Sequence, residues 1–148
     1  MKNVAMKAES YRTAIATGVL YAPPHCISLL RSGHTEKGDA LKTARIAGIF
    51  AAKRTDQLIP LCHPLPIYRA EVEFELCYNY VAITATVETI APTGVEMEAL
   101  TAVSIAGLTL YDMLKPHCNA EDLTLDQCKL QHKTGGKSHY KRELTTPL

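Results

Sequence analysis

Alternating apolar and polar positions predict four β-strands. The alternation over residues 11–21 is weak and ends at a Pro-Pro pair, which favours a strand closed by a breaker. Residues 70–76 alternate strictly, and residues 81–87 repeat the pattern after a short polar break. These two runs are typical of a half-buried hairpin. A further alternation at residues 123–130 predicts the last strand, before a polar segment 131–148.

Two other stretches have helical spacing. Residues 39–54 predict a helix with Asp39 as its N-cap, and its small residues permit close approach to another element. An Ala-rich stretch, residues 95–115, predicts a long helix that ends at Pro116. Between the first helix and the hairpin, residues 58–66 contain three prolines, which impose a stiff extended course.

The resulting order is strand, helix, strand, strand, helix, strand. This order predicts an α+β, ferredoxin-like β-α-β-β-α-β fold with two helices on one face of an antiparallel sheet. With 148 residues, the chain fits a single domain, residues 1–148. We expect its core at about residues 10–131, followed by a polar segment 132–148 that includes Lys133 and Lys137.

The composition excludes several classes of partner. Sixteen Lys and Arg residues against fifteen Asp and Glu residues give a net charge of +1, so no overall basic field favours nucleic acid or an anionic membrane. No apolar run approaches the ~20 residues of a membrane span, and the N-terminus lacks the apolar centre of a signal peptide. Five cysteines without a CxxC pair predict reduced thiols. We therefore expect a cytoplasmic protein without nucleic-acid or membrane partners.

Some residues have chemistry suited to a site, and each also has an ordinary structural explanation. Asp112 lies within an apolar helical run with Lys115 one turn on, which fits either a catalytic pair or helix-surface electrostatics. His63, fixed before a proline, fits proton transfer or packing against backbone. Lys133 and Lys137 flank two glycines, as in an anion site or a flexible basic tail.

Longer motifs narrow these alternatives. They are KGD at 37–39, TARIAG at 43–48, AAKRT at 51–55, LIPLCHPL at 58–65, TGVEMEALT at 93–101, YD at 111–112 and GGK at 135–137. Together they resemble the cyclic pyranopterin monophosphate synthases, the molybdenum cofactor biosynthesis protein C family, over roughly residues 10–138.

The resemblance implies a lyase with a ferredoxin-like fold that assembles as a homohexamer, a trimer of dimers with active sites at the dimer interface. The implied substrate is 3′,8-cyclo-7,8-dihydroguanosine triphosphate, which a radical S-adenosylmethionine enzyme makes from GTP. The product is cyclic pyranopterin monophosphate, and pyrophosphate leaves when a sugar hydroxyl attacks the α-phosphate. No cofactor is firmly implied, and Mg²⁺ accompanying the triphosphate stays an open alternative.

The resemblance also implies roles for individual residues. Asp112 matches the catalytic aspartate, and Lys115 and Lys133 match the two functional lysines, which we expect to exchange protons while Asp112 orients one of them. We expect the triphosphate to contact Arg45 and Lys53. Residues matched to pterin-contacting segments or motif carboxylates are Leu61, Cys62, His63, Glu96, Met97 and Glu98.

A noncatalytic ferredoxin-like module that binds a nucleotide or pterin is the alternative. An RNA-binding ferredoxin-like domain needs aromatic residues on the sheet face, and the chain has two Phe and no Trp. We therefore reject the RNA-binding function.

Overall fold

The computed structural model describes residues 1–143, which form one antiparallel sheet with helices packed on it. The strands are β1 Ser10–Tyr21, β2 Arg69–Leu76, β3 Tyr80–Ala91, β4 Thr124–Thr134 and β5 Tyr140–Lys141. The helices are α1 Pro24–Ser32, α2 Ala40–Lys53, α3 Thr55–Leu58 and α4 Glu96–Leu114, with 3-10 turns at Lys115–His117 and Ala120–Asp122.

The sheet order is β2-β3-β1-β4-β5, and every neighbouring pair is antiparallel. Its first four strands have the arrangement of the ferredoxin-like fold, in which β1 and β2 flank β3 and the long helices cross over one face. Helix α4 packs on β1, β3 and β4, and α2 packs beside it over β2. The predicted α+β class and ferredoxin-like order are confirmed.

The core lies between this sheet face and α4. Alternate residues of β3 point inward and are fully buried, because period-two alternation places them on the helix-covered face. Gly48 of α2 faces Val72 and the backbone of α4 so closely that a Cβ atom would lie only 3.0 Å from the carbonyl oxygen of Ala102. The small residues of α2 therefore allow the two helices to touch, as the sequence predicted.

The N-terminus of α2 has the predicted cap. The Asp39 carboxylate accepts a hydrogen bond from the backbone N–H of Lys42 at 3.1 Å, which satisfies one of the free N–H groups of the first turn. This hydrogen bond lowers the pKa of Asp39.

Two regions differ from the sequence-based prediction. The Pro-Pro breaker does end β1, but Pro24 also begins a helix, α1, for which the sequence pattern predicts no element. Proline fits the first turn of a helix, Gly33 ends α1 at φ 73°, and burial of Cys26, Ile27 and Leu30 stabilises it.

The polar C-terminal segment contains strand structure that was not predicted, in the part up to residue 143; residues 144–148 of that predicted segment lie outside the described residues. Strand β4 continues to Thr134 because it stays paired with β1, with Lys133 opposite Ala14. Beyond it, β5 pairs with β4 at Lys133 and His132. Alternation of apolar and polar residues indicates a strand only where one face is buried. Polar residues paired near the edge of a sheet produce no such alternation.

Helix α4 with the turn that follows it is long and apolar enough to cross a membrane, by length and composition alone, with a mean hydropathy of 1.2. Within the fold, 56% of that window is buried against the rest of the protein. A mostly buried core helix and a membrane-spanning helix can share this length and composition, so this helix is weak evidence for a membrane span.

Candidate active site

A pocket of about 280 Å³ opens at the N-terminal end of α4. We call it the α4 N-terminal pocket. The proline-rich segment forms one wall with Leu61, Cys62, His63 and Leu65, and the other wall is formed by Thr93, Gly94, Glu96, Met97 and Glu98. All six residues that the resemblance assigned to pterin contacts or motif carboxylates therefore line one pocket.

Glu98 is the buried carboxyl group of this pocket. Only 4% of the residue is exposed, and desolvation raises its pKa from 4.5 to about 7, with a smaller contribution from Glu96. Burial also raises the pKa of the Cys62 thiol, and the nearby charge of Glu98 adds to this effect. A carboxyl group of this kind exchanges protons near neutral pH, as general acid-base catalysis requires.

The N-terminal segment reaches across to the proline-rich wall. His63 Nε2 donates a hydrogen bond to the carbonyl oxygen of Lys2 at 2.6 Å. The imidazole is thereby oriented by backbone, and residues before β1 become part of the site's surroundings.

A second cavity, of about 710 Å³, adjoins the first and shares Thr93, Gly94 and Glu96 with it. We call it the cationic cavity. Its lining includes two carboxylates, Glu9 and Glu96, and five cationic side chains: Lys2, Lys7, Arg12, Lys133 and Lys137. Such a concentration of positive charge suits a polyanion.

Two of these cationic groups, Lys133 and Arg12, are fixed by their neighbours. Lys133 Nζ lies 2.8 Å from the Glu96 carboxylate, and both side chains are more than two-thirds buried. Arg12 donates to the carbonyl oxygens of Ala91 and Pro92 at 3.1 and 3.3 Å. Gly136, at φ 69°, lies so close to the Arg12 guanidinium that a Cβ atom would collide with it. The glycine pair therefore places the backbone next to Lys137 against Arg12, and both side chains line the cavity.

A different cluster lies at the C-terminal end of α4, and we call it the α4 C-terminal cluster. Asp112 forms ion pairs of 2.7 Å with Lys115 and with Lys37. The hydrogen bond from Lys115, followed by the one from Lys37, lowers the pKa of Asp112 to about 2, and Asp112 in turn raises the pKa of Lys115. The Asp112–Lys115 pairing was predicted from helical spacing.

Lys37 is the member of this cluster that sequence reasoning missed. It lies in the polar turn before α2 and also donates to the backbone carbonyl of Asp112 at 3.2 Å. Its only sequence signal was its position at the start of the KGD motif, since 75 residues separate it from Asp112.

The chain does not bring the two sets of candidate residues together. Sixteen residues separate Glu96 from Asp112 along one helix, which at 1.5 Å per residue places them about 24 Å apart. Lys133 accompanies Glu96, so within one chain it lies far from Asp112 and Lys115. One copy therefore contains two separate groups of candidate residues.

Arg45 and Lys53 lie elsewhere on α2. Arg45 donates to the carbonyl oxygen of Val72 at 2.9 Å and lies over the Phe74 ring, and Lys53 lies near the Phe50 ring. Neither is among the residues that line the two cavities. The five-cation lining is the positive surface that the structure places beside the pocket.

Metal-ligating side chains are not grouped in the described part of the chain. Among residues 1–143, no group of three or more His, Cys, Asp or Glu residues could hold a metal ion. The five cysteines are all free thiols.

Fold and site together define an α+β protein with a ferredoxin-like sheet and a candidate site for a small anionic molecule. The model of the MoaC family matches residues 1–136. The chain belongs to the MoaC family.

Similar proteins with assigned names agree with this family. Cyclic pyranopterin monophosphate synthase of Thermomicrobium roseum is 50% identical over 143 residues, which cover 93% of this chain and 83% of that protein. Cyclic pyranopterin monophosphate synthase 2 of Mycobacterium tuberculosis H37Rv is 49% identical, covering 93% and 81%. The Streptomyces griseus synthase is 51% identical, covering 93% and 77%. The relatives are thus named as enzymes.

Proposed function

We propose that the protein is a cyclic pyranopterin monophosphate synthase of molybdenum cofactor biosynthesis. It converts 3′,8-cyclo-7,8-dihydroguanosine triphosphate to cyclic pyranopterin monophosphate and pyrophosphate, which makes it a lyase. The observation that supports this best is the wall shared by the two cavities. A buried carboxyl group with a pKa of about 7 lies beside a cavity with five cationic side chains, so proton exchange and polyphosphate binding meet at Glu96.

The pterin part of the substrate occupies the α4 N-terminal pocket in this proposal. Guanine-type N–H groups need acceptors, and Glu96 and Glu98 supply carboxylate oxygens. The triphosphate lies along the cationic cavity, where Arg12, Lys133 and Lys137 bind its oxygens. The triphosphate contacts expected at Arg45 and Lys53 stay a prediction, and this lining adds cationic groups to them.

Ring formation ends with attack of a sugar hydroxyl oxygen on the α-phosphorus. A new P–O bond forms to the sugar, the bond from the α-phosphorus to the bridging oxygen breaks, and pyrophosphate leaves with the bond's electron pair. The hydroxyl proton passes to a base of the site. Cationic side chains stabilise the charge that develops on the leaving group.

Mg²⁺ would bind largely through phosphate oxygens, with Glu9 and Glu96 as the carboxylates available in the cationic cavity. When bound there, it would offset part of the charge of the pyrophosphate. The substrate itself must come from an enzyme that joins C3′ and C8 of GTP, as a radical S-adenosylmethionine enzyme does. Five free thiols fit a reducing compartment, and we propose a cytoplasmic location.

We further propose that a complete site combines two copies of the chain. The α4 C-terminal cluster of one copy would meet the α4 N-terminal pocket of another, because one helix holds them about 24 Å apart. Leu61 and Met97, at the mouth of the pocket, are 71% and 39% exposed, which favours their contact with another copy. A homohexamer built as a trimer of dimers satisfies this arrangement.

The direct test is single-turnover conversion of the cyclic dihydro intermediate by the purified protein, with pyrophosphate and pterin product measured together. We expect both in equal amounts. Saturable binding of the intermediate without either product would contradict catalysis and favour the noncatalytic binding module.

Mixed assemblies test the sharing of sites. Asp112→Asn and Lys133→Ala variants, each inactive, are unfolded together and refolded at equal amounts. About one quarter of the sites should recover, because each required half is intact in half of the copies. Each variant refolded alone is the matched control. A mixture as inactive as the two controls would show that both groups must come from one chain.

A further inference from the structure

Lys37 reaches Asp112 from a tight turn between α1 and α2. The turn is closed by a hydrogen bond from the Gly38 N–H to the Thr35 carbonyl oxygen at 3.0 Å and by one from the Thr35 hydroxyl to the Gly38 carbonyl oxygen at 2.6 Å. Thr35 is 7% exposed, so the base of the turn is anchored in the fold. Lys37 itself projects outward, with 41% of its side chain exposed.

A histidine holds this turn against the end of α4. His117 lies in the 3-10 turn that begins at Lys115, and its Nε2 accepts a hydrogen bond from the backbone N–H of Glu36 at 3.1 Å. Glu36 immediately precedes Lys37. The imidazole therefore joins the backbone beside Lys37 to the segment that carries Lys115.

His117 is in turn fixed from α1. His25 Nε2 donates a hydrogen bond to the carbonyl oxygen of His117 at 2.9 Å. Pro116 precedes His117 and restricts the backbone on its other side. The backbone of His117 is thus held by His25 of α1 and restricted by Pro116, which limits the movement of the acceptor nitrogen.

An ion pair between long exposed side chains fixes geometry poorly, because both chains retain rotamer freedom. Lys37 meets Asp112 through such a pair, and Asp112 is half exposed. A backbone anchor one residue away does not restrict those rotamers, but it fixes the position of the Lys37 backbone from which the side chain reaches Asp112. Small misplacements of reacting groups reduce rates strongly, so this anchor matters for turnover.

We propose that His117 is a positioning residue for this reaction: its imidazole nitrogen holds the turn at Glu36 so that Lys37 meets Asp112. The inference rests on the proposed function for its kinetic consequence and on the structure alone for the anchor. The positioning role comes from the contact between His117 and Glu36 and needs no contact between His117 and the substrate.

Two variants and a control test it. His117→Leu keeps side-chain volume and removes the acceptor, and His117→Gln retains an acceptor oxygen at a similar reach. His34→Ala is the matched control, since His34 is an exposed histidine of the same turn and makes none of these contacts. Amide hydrogen exchange at Glu36 and single-turnover rates are measured on each assembled protein, together with the dissociation constant of the substrate.

For His117→Leu we expect faster exchange at Glu36, a turnover lower by on the order of tenfold to a hundredfold, and an unchanged dissociation constant. His117→Gln should restore both slow exchange and most of the rate, and His34→Ala should resemble wild type. A wild-type turnover rate in His117→Leu, or an equal loss in the Gln and Leu variants, would overturn the positioning role. Absence of conversion by wild type would instead contradict the proposed function, and the exchange measurement would still decide whether His117 anchors the turn.

Discussion

The two ends of α4 use the same residue types in opposite ways. At the N-terminal end, Glu98 is buried and desolvation raises its pKa to about 7. At the C-terminal end, Asp112 is half exposed, and hydrogen bonds from Lys115 and Lys37 lower its pKa to about 2. One carboxyl group therefore stores and releases a proton near neutrality, while the other stays ionised and orients ammonium groups.

The difference shows which physical effect determines the pKa of each carboxyl group. Burial dominates where the proline-rich wall covers Glu98, and pairing dominates where Asp112 meets two lysines in solvent. At the C-terminal end, removing Asp112 or one of its lysine partners should therefore change the pKa of the group that remains. At the N-terminal end, removing the buried charge of Glu98 should change the stability of the fold. The following predictions address the two ends in order of expected effect.

The largest effect is expected from Asp112→Asn. The amide keeps the shape of the side chain but no longer attracts Lys115 and Lys37, so the pKa of Lys115 should fall. We expect single-turnover rates to drop by about 10²- to 10⁴-fold, the range of a lost acid-base group. Rapid-quench measurement of pyrophosphate checks this, and a near-wild-type rate in a correctly assembled variant would remove Asp112 from the reaction.

Glu98→Gln should change the pH dependence of stability. Because the folded-state pKa is raised, the folded protein binds more protons than the unfolded chain between pH 4.5 and about 7, and wild-type stability falls as pH rises through that window. Relative to wild type, the Gln variant should gain up to about 3 kcal/mol in free energy of unfolding from pH 4.5 to 8. Urea unfolding at several pH values measures this difference.

The control for that experiment is Glu73→Gln, which removes an exposed carboxylate of β2. It should follow wild type across the same pH range. If the Glu98→Gln variant also followed wild type, burial would not be what determines the pKa of Glu98.

Gly136→Ala tests the cationic cavity beside the buried end. The residue has φ 69°, and an added Cβ would meet the Arg12 guanidinium, so both backbone and contact oppose the change. We expect a loss of about 1–3 kcal/mol in free energy of unfolding and weaker binding of pyrophosphate. Calorimetric titration with pyrophosphate reads the second effect, which Arg12→Met should reproduce without the backbone strain. Unaltered pyrophosphate affinity in both variants would argue against the cavity as a phosphate site.

The smallest effect on stability is expected from Lys115→Met. Its ion pair with Asp112 is exposed and screened by salt, so the urea midpoint should stay where it is in wild type. Turnover should fall nevertheless. A clear shift of the midpoint would indicate that the α4 C-terminal cluster stabilises the fold as well as serving the reaction.

Local rules predicted much of the fold. The Asp39 cap, the β2–β3 hairpin and the long α4 follow from spacing and side-chain chemistry within a few residues. Helix α1 was missed because Pro24 was counted only as a breaker, although its position in the first turn is favourable. The polar end of β4 was missed because its strand pairing depends on β1, far away in sequence.

The site was predicted in parts. Motif matches grouped Glu96, Glu98 and His63 as site residues, and the structure shows them lining one pocket. Helical spacing paired Asp112 with Lys115. Lys37 and the contributions of Lys2 and Lys7 could not be read from one sequence, because they depend on chain segments that meet only after folding. The 24 Å between the two groups of residues likewise follows from the uninterrupted helical course of α4.

This uninterrupted helix limits the insertions and deletions that the protein can tolerate. Adding a single residue to α4 would turn one end about 100° relative to the other, so that two groups aimed at different neighbours would lose their common alignment. The segment after His117, from Cys118 to Leu123, has no such constraint. Insertions and deletions among descendants of this sequence should therefore accumulate after the helix and be absent from within it.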